Sequence, residues 1–298
     1  MTYVLTVIGA PGSRTLDSAL LDAARDALAA AGAIAGPTDW LNPGDACDIP
    51  FESSIAENAE AAVRDRLGDA PVDLMAQARD GRRKSLLLAD MESTIIAQEM
   101  IDELAEAAGT GEQVAKLTAR TMAGELNFAE ALRARVALIE GLPVTTLDEA
   151  ATRVTFNPGA LTLVRTMRAN GAYTALVSGG FTHFLGPVRE ACGFHEARGN
   201  RLLTADGRLT GGVAEPILGP DAKQAALLEL AEQQSLAPAD ACAVGDGAND
   251  LGMVQAAGLG VGYRAKPLLR EAARVAIDHG DLTALLFLQG YRSSEFQD

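Results

Sequence analysis

The chain contains 298 residues, of which 48% are hydrophobic and 22% are charged, a balance typical of a globular protein with a sizeable core. Its 40 acidic and 25 basic residues give a net charge of −15, which disfavours binding to nucleic acid or to anionic membranes. An anionic substrate would therefore need a local positive site, made by a metal ion, a few cations and helix N-termini.

The first 80 residues predict a small α/β domain. Its predicted elements are a strand at 3–8, a helix at 16–31, extended segments at 38–41 and 47–51, a helix at 56–67 and a strand at 72–74. This order is typical of a ferredoxin-like fold. The first strand has no basic flank, so it does not indicate a signal peptide, and no C-x-x-C pair occurs. The sequence thus predicts a ferredoxin-like domain over 1–80 of a cytoplasmic protein, with a polar linker at 77–84.

A second domain is predicted over 85–298. Short apolar runs predict buried strands at 85–89, 173–177, 241–244 and 259–262. Helical patterns lie between these runs, which predicts an α/β fold with a doubly wound parallel sheet. The connection from 95 to 177 far exceeds the roughly 30 residues of a βαβ unit. Helices predicted at 95–108, 111–122, 128–139 and 147–154 fill it, so we expect a helical cap at about 96–156. A β-hairpin is predicted at 200–212.

Two carboxylates follow the first strand of this second domain, in the run Asp90-Met91-Glu92-Ser93-Thr94. Asp90 could attack a phosphorus atom, while Glu92 protonates the leaving oxygen and later activates water. The backbone carbonyl of Glu92 could also bind a metal ion. Taken alone, the cluster is equally consistent with an ordinary surface loop.

Further polar groups follow the later strands. Ser178 and Gly179, next to Gly180, offer a hydroxyl and backbone N–H groups that can approach a phosphate. A serine-hydrolase elbow is excluded because Leu176 stands where that motif needs its first glycine. Lys223 begins a predicted helix and could stabilise negative charge on phosphoryl oxygens. Alone, these features are also typical of a simple turn and of a solvated lysine.

The most specific motif is the run GDGAND at 245–250, directly after the strand at 241–244. Asp246 and Asp250, on glycines that permit a tight turn, suit an oxygen-ligand Mg²⁺ site together with Asp90. Ligands of doubly wound sheets bind at the carboxyl ends of the strands. We therefore expect the four motifs to meet at one edge of the sheet.

In this order the four motifs resemble those of the haloacid dehalogenase-like phosphatases, over about residues 85–298. The likeness extends to the phosphoserine phosphatases in the runs EMIDEL at 99–104, GELNF at 124–128 and RARV at 133–136. The resemblance implies that the chain hydrolyses O-phospho-L-serine through an aspartyl-phosphate at Asp90, the last step of serine biosynthesis. It implies Mg²⁺ as the cofactor, with Asp90, Glu92, Asp246 and Asp250 as its ligands.

The resemblance also implies a substrate site beneath the cap. The substrate ammonium would contact Glu99, and its carboxylate would contact Arg135. The other implied contacts, including those to the phosphate, are Met122, Phe128, Ser178, Gly179, Lys223 and Asn249. Phe128 and Arg135 are two helical turns apart and so share one helix face. This face is equally typical of an ordinary apolar stripe with a solvated arginine.

The chain departs from the family pattern at Glu92, where the family has Asp. Metal binding would survive, because it uses the backbone carbonyl. The acid–base carboxyl is one methylene further out, and misplacements of this size can cost about a hundredfold in rate. Turnover is therefore the property most affected by this substitution.

Several alternatives stay open. The substrate could be another small phosphate ester, such as phosphothreonine, or the chain could transfer phosphate to a homoserine-like acceptor. A non-catalytic serine or phosphoserine sensor would also fit Glu92. A cation-transporting ATPase shares the GDGAND-type run but needs membrane helices, which the sequence lacks. The N-terminal unit resembles an amino-acid-binding regulatory (ACT-like) domain, or it serves dimerisation, so a homodimer stays open.

Overall fold

The computed structural model describes residues 2–52, 56–122 and 125–298. Within those ranges, no helix is both long enough and apolar enough to span a bilayer. Two larger sheets organise the chain, an antiparallel one near the N-terminus and a parallel one after it, and a two-stranded hairpin accompanies the second.

The N-terminal sheet packs against two helices. Its elements are β1 (Thr2–Gly9), α1 (Ser18–Ala30), β2 (Ile34–Ala35), β3 (Asp39–Asn42), β4 (Ala46–Glu52), α2 (Ala56–Leu67) and β5 (Val72–Ala78). The strand order is β2-β4-β1-β5, with β3 also paired to β4. Helix α1 begins after Asp17, whose side chain accepts a hydrogen bond from the Leu20 N–H at 2.9 Å. The two-residue β2 was not predicted, because it is too short to show an alternating pattern. The ferredoxin-like assignment and the boundary at 80 stay predictions.

The C-terminal part has a parallel sheet of strand order β13-β12-β11-β6-β7-β8. In chain order its elements are β6 (Leu86–Ala89), α3 (Met100–Ala108), α4 (Gly111–Met122), α5 (Phe128–Ala137), α6 (Val144–Ala151), α7 (Ala160–Ala169), β7 (Tyr173–Phe181), α8 (Thr182–Cys192), β8 (Glu196–Asn200), β9 (Leu202–Ala205), β10 (Arg208–Val213), α9 (Pro220–Gln233), β11 (Ala241–Gly245), α10 (Leu251–Ala256), β12 (Leu259–Tyr263), α11 (Pro267–Ala272), β13 (Val275–Ile277) and α12 (Ala284–Leu288). The predicted α/β class and doubly wound parallel sheet are confirmed.

Strand β6 is central and is buried on both faces. Leu86 and Leu88 belong to an apolar cluster shared with α9 and α10. Leu87 and Ala89 belong to a second cluster on the opposite face, shared with α3, α7 and α8. Burial on both faces explains why this strand reads as a continuous apolar run instead of an alternating one.

Helices α3 to α6 form the insertion between β6 and β7. The two chain segments that lead into it pair with each other, through a bridge between Ile96 and Phe156. The helix predicted from residue 95 begins instead at Met100, because Ser93 has a left-handed φ of +56° and the chain is extended at Ile96. The hairpin predicted at 200–212 is formed by β9 and β10, and backbone hydrogen bonds between Leu209 and the segment 141–142 join it to the insertion.

The two sheets also pack against each other. Ile8 of β1 and Met75 of β5 share a buried cluster with Phe287 of α12. The carboxylate of Asp73, which is 3% exposed, accepts backbone N–H groups of residues 278–280 at 2.7–3.3 Å. The N-terminal sheet is thus hydrogen-bonded to the loop that follows β13.

Candidate active site

The candidate site lies at the carboxyl ends of three neighbouring strands, β6, β7 and β11. Asp90 directly follows β6, Ser178 lies near the end of β7 and Asp246 directly follows β11. The chain runs from β6 to β7 on one side and later returns to β11 on the other, so β6 marks the switch point of the sheet. In doubly wound folds ligands bind at this point.

Three buried carboxylates meet here. Oxygens of Asp90, Asp246 and Asp250 all lie within 4.8 Å of one another. The side chain of Lys223 is 1% exposed, and its Nζ lies 2.8 Å from Asp90 Oδ2 and 2.6 Å from Asp250 Oδ1. Burial, and then the charge of Asp90, raise the pKa of Asp250. The single charge of the buried Lys223 does not balance three carboxylates, so the cluster suits a hard cation with oxygen ligands, such as Mg²⁺.

The turn after β11 is built around the Asp250 carboxylate. Its Oδ2 accepts the backbone N–H groups of Asp246 and Gly247, each at 3.1 Å. A side chain at Gly245 would place its Cβ 2.3 Å from Asp250 Cγ, so glycine is needed there. Asn249 lies beside this cluster, with Nδ2 3.5 Å from Asp90 Oδ2. The predicted motif is thus folded so that its carboxylate oxygens lie close to that of Asp90.

Glu92 is held between the sheet and the first helix of the insertion. Its Oε1 accepts the backbone N–H of Met100, the first residue of α3, at 2.9 Å. A Cβ on Gly180 would come within 2.7 Å of this carboxylate, so the Glu92 carboxylate packs directly against the Gly180 backbone. Burial, followed by the charge of Glu99, raises the pKa of Glu92 to about 8. A carboxyl group that is protonated near neutral pH is what a general acid requires.

The Ser178–Gly180 segment belongs to β7, which continues to Phe181 instead of ending at residue 177 as predicted. The pairing of β7 with β8 is irregular between Val177 and Phe181, the stretch that contains this segment. Ser178 Oγ accepts the Gly180 N–H at 3.0 Å. The Gly179 carbonyl accepts a hydrogen bond from Asn200 Nδ2 at 2.8 Å.

The insertion contacts the glycines of this segment through Phe128. A Cβ added to Gly179 would lie 2.7 Å from Phe128 Cζ, and one added to Gly219 would lie 3.3 Å from Phe128 Cδ1. The ring of Phe128 therefore lies against both glycines. Met122, also expected at the substrate, has a side chain outside the described residues.

The two residues expected to bind the amino-acid part of the substrate have different surroundings. Glu99 precedes α3, and its Oε1 accepts the Ser93 hydroxyl at 2.8 Å. Burial raises the pKa of Glu99. Arg135 lies in the last turn of α5, where its Nε donates to the Ala131 carbonyl at 3.3 Å. Burial raises the pKa of Asp102, and the positive charge of Arg135 opposes this rise. Among the described residues, Glu99 and Arg135 do not pair with each other.

The sequence reasoning missed two residues at this edge. Lys266 follows β12, and its Nζ lies 3.0 Å from Asp246 Oδ2. A polar residue after a fourth parallel strand was a usable signal for it. Asn200 is 2% exposed and links the Gly179 carbonyl to both backbone groups of Leu218, and nothing in the local sequence indicated this role.

Comparisons with known proteins agree with this geometry. A family model described as haloacid dehalogenase-like hydrolase matches residues 87–255. A phosphoserine phosphatase of Archaeoglobus fulgidus is 39% identical over 243 residues, which cover 80% of this chain and 71% of that protein. The crystal structure of a haloacid dehalogenase family hydrolase from Salmonella enterica serovar Typhi superposes with a TM-score of 0.85 at 26% identity, and the match covers 96% of this chain and 98% of that one.

Some relatives are considerably longer. A phosphoserine phosphatase of Mycobacterium tuberculosis is 42% identical over 216 residues, which are 72% of this chain but 53% of that protein. This match therefore spans about half of its relative. The similarity to the Salmonella hydrolase, in contrast, includes the N-terminal sheet as well as the parallel one.

Proposed function

This chain belongs to the haloacid dehalogenase-like hydrolases, as a phosphatase related to the phosphoserine phosphatases, and from that premise we propose that it hydrolyses O-phospho-L-serine. The products would be L-serine and phosphate, formed through an aspartyl-phosphate at Asp90. The observation that carries the proposal is Asp90 itself, buried at the switch point with Lys223 at 2.8 Å and two further carboxylates beside it.

In the first step, Asp90 attacks phosphorus in line with the seryl oxygen. The charge of Lys223 stabilises the phosphoryl oxygens, and the Ser178 hydroxyl donates a hydrogen bond to them. Glu92 gives its proton to the leaving oxygen. In the second step, the ionised Glu92 removes a proton from the water that attacks phosphorus, the bond from phosphorus to the Asp90 oxygen breaks, and phosphate leaves while the Asp90 carboxylate is restored. The hydrogen bond from Met100 to Glu92 supports this role, because it fixes the carboxyl between the sheet and the insertion.

Mg²⁺ fits the cluster, since carboxylate oxygens are its preferred protein ligands. Asp90, Asp246 and Asp250 would hold it together with the backbone carbonyl of Glu92. When bound, it would supply positive charge to the phosphoryl oxygens and orient them.

Substrate recognition is proposed for residues around the insertion. Glu99 binds the substrate ammonium and Arg135 its carboxylate. The remaining proposed contacts are Met122, Phe128, Gly179 and Asn249. The contact of Phe128 with Gly179 supports this assignment, because it brings the insertion directly over the proposed phosphate segment.

The cellular setting belongs to the same proposal. We propose that the chain acts in the cytoplasm, in the last step of serine biosynthesis. Its N-terminal unit would be an ACT-like module that binds an amino acid or supports a homodimer.

The experiment is phosphate release from O-phospho-L-serine, with and without Mg²⁺, for the wild type, Asp90→Asn and the control Asp206→Asn. We expect Mg²⁺-dependent release by the wild type and the control, and none by Asp90→Asn. O-Phosphothreonine as a second substrate tests the choice of ester. Inactivity of the wild type on phosphoserine, with activity on another phosphate ester, would refute the substrate; inactivity on all of them would refute the phosphatase.

A further inference from the structure

Lys266 is a cation at the site to which the proposed reaction assigns no role. It immediately precedes α11, and its backbone N–H donates to the Asp246 carbonyl at 2.8 Å. Its Nζ lies 3.0 Å from Asp246 Oδ2, and its side chain is 52% exposed. The backbone hydrogen bond fixes the main chain of Lys266 beside Asp246. The side chain is long and exposed, so its ammonium group can change partners.

The two lysines divide the carboxylates between them. Lys223 contacts Asp90 and Asp250 and is enclosed, whereas Lys266 contacts Asp246 and faces solvent. Each carboxylate of the cluster therefore has a cationic partner before any metal binds. A divalent cation that takes Asp246 as a ligand has to share or replace the Lys266 contact.

The charges of the cluster indicate what Lys266 does after metal binding. The three carboxylates cancel the charges of Lys223 and of one divalent cation, so a dianionic phosphate ester would enter a site with no net positive charge. Lys266 is the additional cation that the described residues offer at Asp246. Its charge also reaches the proposed ammonium site, since it opposes the rise in the pKa of Glu99.

We propose that Lys266 is an exchangeable partner of Asp246, which competes with Mg²⁺ in the empty enzyme and supplies positive charge to the phosphate once Mg²⁺ is bound. This proposal rests on the proposed function. It makes Lys266 a positioning and charge-balancing residue whose removal changes two affinities in opposite directions.

The test compares Lys266→Gln and Lys266→Arg with the wild type and with Lys116→Gln. Lys116 is an exposed lysine of α4, so its replacement removes the same charge away from Asp246. Mg²⁺ affinity is measured without substrate, from the rise of the melting temperature with Mg²⁺ concentration. Affinity for inorganic phosphate is measured by calorimetry at saturating Mg²⁺.

We expect Lys266→Gln to bind Mg²⁺ about three- to tenfold more tightly and phosphate about tenfold more weakly, as expected for loss of one partly screened charge. Lys266→Arg and Lys116→Gln should stay close to the wild type in both. If the affinities for Mg²⁺ and for phosphate both fall, Lys266 only stabilises the structure of the site. If neither affinity changes, Lys266 is a solvated lysine. Either result overturns the proposal. Phosphate release by the wild type tests the proposed function separately.

Discussion

The strand-end cluster and the helical insertion hold their functional groups in different ways. Asp90, Asp250 and Lys223 are at most 3% exposed, and charged contacts of 2.6 and 2.8 Å join them. Arg135, in contrast, is half-buried and has one long hydrogen bond to the backbone of its own helix. The groups proposed for phosphoryl transfer are therefore fixed at the ends of the sheet strands by buried charged contacts. Arg135, proposed for substrate choice, has no comparable charged contact in the insertion.

The largest expected effect is loss of the nucleophile. Asp90→Asn should reduce turnover by at least about a thousandfold, because an amide cannot form the phosphoryl intermediate. The loss should be the same for phosphoserine and for phosphoethanolamine, which lacks the carboxylate, since both esters transfer their phosphoryl group to Asp90. Steady-state phosphate release measures this. Residual activity on one of the two esters would show that phosphoryl transfer and substrate selection are not carried out by separate groups.

The next effect is on stability. Lys223→Met leaves Asp90 and Asp250 buried without their shared cation, which should lower the free energy of unfolding by about 3–5 kcal/mol without metal. Urea unfolding measures it, with the exposed Lys116→Met as the control. Mg²⁺ should restore part of the loss, because it replaces the missing charge. Equal stability of Lys223→Met and the wild type without metal would contradict a stabilising interaction of Lys223 with Asp90 and Asp250.

Replacement of Arg135 should affect substrate choice alone. Arg135→Ala should reduce kcat/KM for phosphoserine by about 10–100-fold, as expected for loss of a charged hydrogen-bonded partner. Phosphoethanolamine hydrolysis should change little. Arg133→Ala is the matched control, because Arg133 lies two residues away on the same helix and pairs with Glu215 at the surface. Equal losses for both esters would show that the insertion takes part in the chemistry.

The smallest effect is expected at Glu92. The sequence alone predicted that its extra methylene slows turnover, so that Glu92→Asp would be faster. Its hydrogen bond to Met100 and its fit against Gly180 support the opposite expectation, because the shorter Asp would lose both contacts. We expect Glu92→Asp to be slower by less than about tenfold in kcat. A much faster Glu92→Asp would mean that the longer side chain is a handicap after all.

The sequence was most informative where local chemistry determines the structure. Strand β6 was predicted correctly because a strand buried on both faces is a continuous apolar run in the sequence. The GDGAND run was recognised because a tight turn around carboxylates requires glycines and acidic residues close together in the sequence. Lys266 and Asn200 were missed because their partners, Asp246 and the Gly179 carbonyl, are distant in sequence and are brought near only by the sheet order. The segment 95–99 was wrongly predicted as the start of a helix, since an extended residue such as Ile96 leaves no periodic signal.

The central claim is that Asp90 carries the phosphoryl group. The most direct measurement is mass spectrometry of the wild-type enzyme, quenched in acid during turnover of O-phospho-L-serine with Mg²⁺. We predict one phosphoryl group on the peptide that contains Asp90, removed by hydroxylamine and absent from Asp90→Asn. A phosphoryl group on another residue of an enzyme that turns over phosphoserine would contradict the account.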